Sequence, residues 1–133
     1  MADIIALSAR YRIAEIAYDR WGAVQVEQRL TDAGLTMVQF GQGFASMASP
    51  TRELSRLIAA RELAHDGHLV LRWNAGNVVV ESDAAGNLKP SKAKSREKID
   101  GIVALLMALD RAMRRGGMAG AVSVYEERGV TVL

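Results

Sequence analysis

The 133-residue chain contains no cysteine. A disulfide framework, a Cys-ligated zinc or iron–sulfur centre and a thiol nucleophile are therefore all excluded. Its longest uninterrupted apolar run, Ile102 to Leu109, is far short of the roughly 20 residues needed to span a bilayer. The amino terminus lacks a basic segment followed by an apolar one, so no targeting peptide is expected. No Gly-Lys-Ser/Thr phosphate loop occurs, which excludes ATP hydrolysis of the P-loop kind. Nothing in the sequence supports a serine or cysteine triad. What remains is half hydrophobic and 24% charged, the composition of one globular domain in the cytoplasm rather than of a disordered or membrane-bound chain.

Charge is nearly balanced, with 17 Lys+Arg against 15 Asp+Glu, but it is unevenly placed. Eight basic residues (Lys89, Lys92, Lys94, Arg96, Lys98, Arg111, Arg114, Arg115) face three acids (Glu97, Asp100, Asp110) within one stretch. Such a stretch can meet phosphate, although on charge alone a solvated face or a helix end is the simpler account.

Apolar spacing predicts a short helix from Ile4 to about Tyr11 and a half-buried strand from Ile13, with Asp19 at its carboxyl end. Ala23, Val26, Leu30 and Ala33 give one stripe of a helix that Gly34 caps, and a strand follows at Leu35 to Phe40. Ser49-Pro50 has the form of an N-cap with proline at the first helical position, which predicts a helix to about Leu63 burying Leu54, Leu57 and Ile58. Leu69 to Val80 is ambiguous between helix and strand. Asp83 to Asn87 reads as a turn between two antiparallel strands. Ser95 is the expected cap of a helix through Arg115, ended by Gly116-Gly117, with a strand-like Val122 to Tyr125 beyond. This order predicts an α/β fold in which strands joined through helices pair in parallel.

Asp100 breaks the local pattern, being a carboxylate at the head of Ile102-Val103-Ala104-Leu105-Leu106-Met107. On a helix it shares a face with Ala104 and Met107 and lies where the N-terminal dipole favours the ionised form. Asp19 is the second candidate, because ligands of open α/β sheets sit at the carboxyl ends of strands. Taken singly, each is as well explained by an ion pair or a turn. Together, one acid at a strand end and one on an interior helix can converge on Mg²⁺ or Mn²⁺, and two such ions can activate water and stabilise the leaving oxygen in phosphodiester cleavage. The competing motifs are weaker. His65-Asp66-Gly67-His68 is a cap and turn without a third ligand, and Gly41-Gln42-Gly43 lacks the third glycine of a dinucleotide fingerprint.

Several motifs occur in a set order: Ala17-Tyr18-Asp19-Arg20-Trp21, Phe40-Gly41-Gln42-Gly43 with Ser46-Met47, Leu63 to His68, Leu71 to Val79 with Trp73 and Asn77, and Lys98 to Ala104. In that order, from about Ile4 to Met113, the chain resembles the C-terminal nuclease domain of the large terminase subunit of tailed bacteriophages and prophages. The resemblance implies an RNase H-like α/β fold with a mixed sheet and flanking helices. It also implies a Mg²⁺- or Mn²⁺-dependent endonuclease that cuts concatemeric double-stranded DNA during packaging in the bacterial host. Asp19 and Asp100 would be the catalytic metal ligands, Lys92 and Lys94 would contact DNA phosphate, and Trp73 and Asn77 would be structural. Other terminase or portal components would be its partners. The family's first strand, with a further catalytic aspartate, has no counterpart, since only Asp3 precedes the Tyr-Asp-Arg-Trp motif and it lies in an expected helix. The ATPase domain of the family has no counterpart either. Residues 1–117 are therefore expected to be a partial nuclease domain and 118–133 a tail, weakly active or inactive alone and prone to self-association through an open sheet edge. The alternative is a non-catalytic prophage remnant or self-associating module on the same scaffold.

Overall fold

The computed structural model describes residues 2–21 and 23–128, with side chains described to residue 116. In chain order the elements are α1 (Ala2–Arg10), β1 (Ile16–Tyr18), α2 (Val24–Asp32), β2 (Met37–Gln39), α3 (Phe44–Ala59), α4 (Leu69–Asn77), β3 (Val80–Ser82), β4 (Leu88–Pro90) and α5 (Asp100–Arg128). β1 and β2 pair in parallel through the α2 crossover, with Ile16 opposite Met37 and Tyr18 opposite Gln39. β3 and β4 form a separate antiparallel hairpin. Strands and pairing senses thus follow expectation, but as two small sheets rather than one mixed sheet.

The core is organised by α5. Ile99, at its N-terminal boundary, and Ile102, Val103, Leu106 and Met107 recur at helical spacing and are all buried against Phe40, Met47 and Leu54. The helix that reads as apolar nearly all round therefore has one deeply buried stripe, with Leu105 and Leu109 half-buried beside it. Removing such contacts from a close-packed interior is costly, which fixes the position of the first turn of α5 relative to β1, α3 and α4.

Helix ends account for most departures from the sequence reading. Gly34 ends α2 as expected: at φ +85°, its N–H donates to the Thr31 carbonyl and the Leu35 N–H to that of Leu30, the paired bonds of a Schellman cap. α3 starts at Phe44 with Gly43 as N-cap, so Ser49 does not cap it and Pro50 lies inside the helix. The Pro50 ring is fully buried, and its missing amide is one that an interior helical position would otherwise need. α3 stops at Ala59, short of Leu63, because Arg61 adopts φ +58° and closes a second Schellman cap. Leu57 is only half-buried and Ile58 is 58% exposed, so of the three residues expected in the core only Leu54 lies there. A non-glycine residue in the left-handed region is strained, so Arg61→Gly should raise stability by about 0.5–1 kcal/mol in a urea titration. No change would show that the arginine side chain compensates.

The ambiguous segment from Leu69 resolves as α4 followed by β3. Ser95 does not cap α5. Its hydroxyl donates to the Ser91 carbonyl at 2.6 Å and accepts from the Val79 N–H at 3.0 Å, bracing the loop that precedes the helix. Nor do Gly116-Gly117 end α5, whose backbone continues to Arg128 through the stretch read as strand-like. A glycine inside a helix costs only about 1 kcal/mol, less than a long cooperative ladder can absorb. The side chains expected in an exposed or partner-bound tail lie outside the described residues.

The three arginines at the end of the basic stretch are neutralised internally. Arg111 donates to Glu15 at 2.7 Å, Arg115 reaches the same carboxylate at 3.4 Å, and Arg114 pairs with buried Asp110 at 2.7 Å. The two bonds to Glu15 tie the segment entering β1 to α5. The Arg111 hydrogen bond holds the Glu15 carboxyl below its ordinary pKa. A carboxylate depressed in the folded state stabilises above its unfolded pKa, and that stabilisation is lost as pH falls through the folded value. The melting temperature difference between the parent and Glu15→Gln should accordingly be full at pH 6 and shrink as acid titrates Glu15 below about pH 4.5. A difference that stays constant down to pH 3 would mean the ion pair contributes nothing.

Candidate metal centre and nucleic-acid face

The carboxyl ends of the parallel strands and the amino end of α5 meet at one place. Asp19 follows β1, Gln42 lies in the glycine turn after β2, and Asp100 is the first residue of α5. Asp19, Gln42, Lys92 and Asp100 line a single open cavity of about 300 Å³, floored by Ala17 and Met107. The two acids picked out separately in the sequence thus share a site, with Ala104 and Met107 on the Asp100 face as expected. A larger cleft of about 600 Å³ adjoins it, bounded by Asp19 and Gln42 and by exposed Trp21.

Each carboxylate has a defined environment. Asp19 is half-buried, and its Oδ1 accepts the Trp21 N–H at 3.3 Å, an Asx-type turn that fixes the chain leaving β1. The Asp100 side chain is 66% exposed. Lys92 Nζ lies 2.8 Å from its Oδ1, and this hydrogen bond, with the charges of Lys92 and Lys98, holds the Asp100 carboxyl below the usual range. It is ionised at neutral pH and available to a hard cation.

The position of Asp100 is set by a contact that the sequence reading missed. Asn74, buried on α4, accepts the Gly101 N–H through Oδ1 at 2.7 Å. This satisfies one of the orphan amides at the start of α5 and joins two helices 27 residues apart in sequence. A Cβ on Gly101 would sit 2.7 Å from the same oxygen, so the Asp-Gly pair is glycine for close approach. Of the two motif residues expected to be structural, Trp73 is 47% exposed, while Asn77 is half-buried with its Nδ2 unpartnered among the described residues.

The lysines ahead of α5 divide. Lys94 pairs with Glu81 at 3.4 Å, as does Lys89 at 3.1 Å, whereas Lys92 turns to Asp100. Arg96 and Lys98 are exposed without an ion pair among the described residues. His65 and His68 fall in a loop where each histidine or its neighbour Asp66 closes a local turn. No group of three His, Asp or Glu side chains placed to hold a metal occurs among the described residues. The cavity lining includes two carboxylates and one side-chain amide, groups of the oxygen-donor type that hard cations take. That set is too small for two ions held by protein alone.

The crystal structure of the HK97 bacteriophage large terminase superposes with a TM-score of 0.75 at 37% identity, over 83% of this chain and 23% of that one. The fold is accordingly that of an RNase H-like α/β nuclease domain. A family model described as the terminase large subunit, endonuclease domain, matches residues 1–115, and the chain belongs to that family. The terminase large subunit of Enterobacteria phage HK97 is 37% identical over 114 residues, which cover 84% of this chain and 23% of that protein. Protein YmfN of Escherichia coli strain K12 is 36% identical over 103 residues, covering 76% and 23%. The chain spans under a quarter of the length of these relatives. No helix among the described residues is long and apolar enough to cross a membrane.

Proposed function

We propose that this chain carries part of a divalent-metal-dependent endonuclease site that cuts concatemeric double-stranded DNA during phage genome packaging. The observation that supports it best is the convergence of Asp19 and Asp100 on one cavity, from a strand end and a helix start. A bound Mg²⁺ or Mn²⁺ would polarise a phosphate and lower the pKa of a coordinated water. Asp19 and Asp100 would hold the ion, Asn74 would keep the start of α5 in place, and Lys92 and Lys94 would meet the DNA backbone. Phosphate contacts of this kind position a duplex without reading its sequence.

Two carboxylates are fewer than an in-line two-metal displacement requires, so a further acidic ligand would come from a segment additional to the residues described here. The chain would then be a fragment, slow or inactive alone, acting with other packaging components in the host cytoplasm. The test is plasmid cleavage in Mn²⁺ by this chain, alone and fused to an upstream segment carrying an acidic strand. Slow or absent cleavage that the fusion accelerates is expected. Cleavage by neither would contradict the proposal.

A second reading, a self-associating module without catalysis, is favoured by one feature. A two-stranded parallel sheet is unusual because such sheets are normally covered and extended, and β1 has no partner on its outer edge among the described residues. Ile5 and Leu7 of α1, and Tyr11 just after it, are also exposed. Under this reading the chain would sediment as a dimer that shows no heat of Mn²⁺ binding, whereas under the first it binds Mn²⁺ whatever its oligomeric state.

A further inference from the structure

Lys92 stands in an unusual place for a surface lysine. Its side chain forms part of the wall of the cavity lined by Asp19 and Asp100, and its ammonium is 2.8 Å from Asp100 Oδ1. Asp19, by contrast, has only the Trp21 amide as partner, with no ion pair among the described residues. Lys92 is thus the ion-pair partner of the two-carboxylate site among the described residues.

The loop around Lys92 is fastened on both sides. The Ser91 N–H donates to the Val79 carbonyl at 2.8 Å, and Ser95 is bound through its N–H to Ser91 and through its hydroxyl to Ser91 and Val79. Lys94 is held by Glu81. Backbone position is therefore fixed, while the four-carbon stem of Lys92 is free to swing. Its pair with Asp100 is exposed on both partners, at 55% and 66%, and exposed ion pairs are weak and easily exchanged.

We propose that Lys92 is a displaceable counter-ion: it neutralises Asp100 until a divalent cation takes that carboxylate, and the released ammonium then engages a DNA phosphate. This rests on the metal reading above and adds a sequence of events to it. One lysine serves the carboxylate and the phosphate in turn, so metal uptake and DNA contact at this corner are coupled. The exchange moves no proton and breaks no covalent bond.

The test is Mn²⁺ affinity, measured by titration calorimetry on the whole chain without DNA. Lys92→Met removes the competitor and should tighten Mn²⁺ binding by about threefold to tenfold. Lys92→Arg, whose planar fork grips a carboxylate with two bonds, should weaken it below the parent value. Arg29→Met, an exposed residue of α2 outside the site, should leave it unchanged. In the presence of Mn²⁺, Lys92→Met should also bind a short duplex severalfold more weakly. Equal Mn²⁺ affinity in the parent and both Lys92 variants would overturn the inference while leaving the metal reading intact. Absence of Mn²⁺ binding in the parent and in Lys92→Met alike would remove both. Because Lys92 is exposed and its backbone is held by Ser91 and Ser95, neither variant should lose its fold, and unchanged thermal melting would verify that.

Discussion

Asp100→Asn is expected to abolish Mn²⁺ binding to this chain and to reduce any Mn²⁺-dependent DNA cleavage by at least about a hundredfold. The argument is one of donors. The Asp100 carboxylate is exposed, ionised and paired with a single displaceable lysine, so it can turn to a hard cation without disturbing packing. An amide in its place keeps the shape but loses the charge that a divalent ion requires. Asp19→Asn should act in the same direction, since it can still accept the Trp21 amide and preserve the turn. Neither substitution touches the buried stripe of α5, so melting temperatures should stay within a few degrees of the parent. Calorimetry with Mn²⁺ reads the binding, and plasmid relaxation by the fused protein reads the cleavage. Full Mn²⁺ affinity in Asp100→Asn would remove this residue from the metal centre.

Gly101→Ala is expected to destabilise the fold by about 2 kcal/mol, against the sign that helix propensity alone would give. Alanine is preferred over glycine in a helix by about 1 kcal/mol. Here the new Cβ would stand 2.7 Å from Asn74 Oδ1 and 3.5 Å from Leu71 Cδ1. Asn74 cannot withdraw without abandoning its hydrogen bond to the Gly101 amide, which leaves a donor unsatisfied at the start of α5. The fall in melting temperature should be roughly 5–10 °C. Gly76→Ala provides the control: it lies in α4, a Cβ there meets nothing within 4 Å, and ordinary propensity should make that variant more stable. Since the same contact positions Asp100, Gly101→Ala should also weaken Mn²⁺ binding at temperatures where it remains folded. A variant as stable as the parent would mean that Asn74 repacks freely.

What could be read from the sequence was local. The helix α2, its Gly34 cap, the Asp83 to Asn87 turn and the strand before Asp19 follow from spacing and backbone preference within a few residues, and the structure contains each, although of the expected α2 stripe only Leu30 is buried while Val26 and Ala33 are exposed. The helix starts failed where tertiary contact overrode a local signal. Ser49-Pro50 has the form of a helix start, but burial of the Pro50 ring lets the helix begin six residues earlier, at Phe44. Ser95 looks like a cap and instead braces a loop through Val79.

The site shows the same division. Asp19 was picked out by its place at a strand end and Asp100 by its place at the head of an apolar helix, and both line the cavity. Gln42 was legible only as part of a glycine turn, although its place after a parallel strand is the same signal that marked Asp19. Asn74 could not be found by spacing at all, because its partner is 27 residues away and only the crossing of α4 and α5 brings them together. Likewise, the arginines of α5 read as part of a basic face, whereas Glu15 and Asp110 neutralise them from positions that no periodicity reveals.

The most direct test of the account is anomalous diffraction from crystals of this chain grown with Mn²⁺. The account predicts an anomalous peak in the cavity between Asp19 and Asp100, with the Lys92 ammonium moved away from the Asp100 carboxylate. A peak at the His65–His68 loop instead, or a cavity without manganese while Lys92 remains on Asp100, would contradict it.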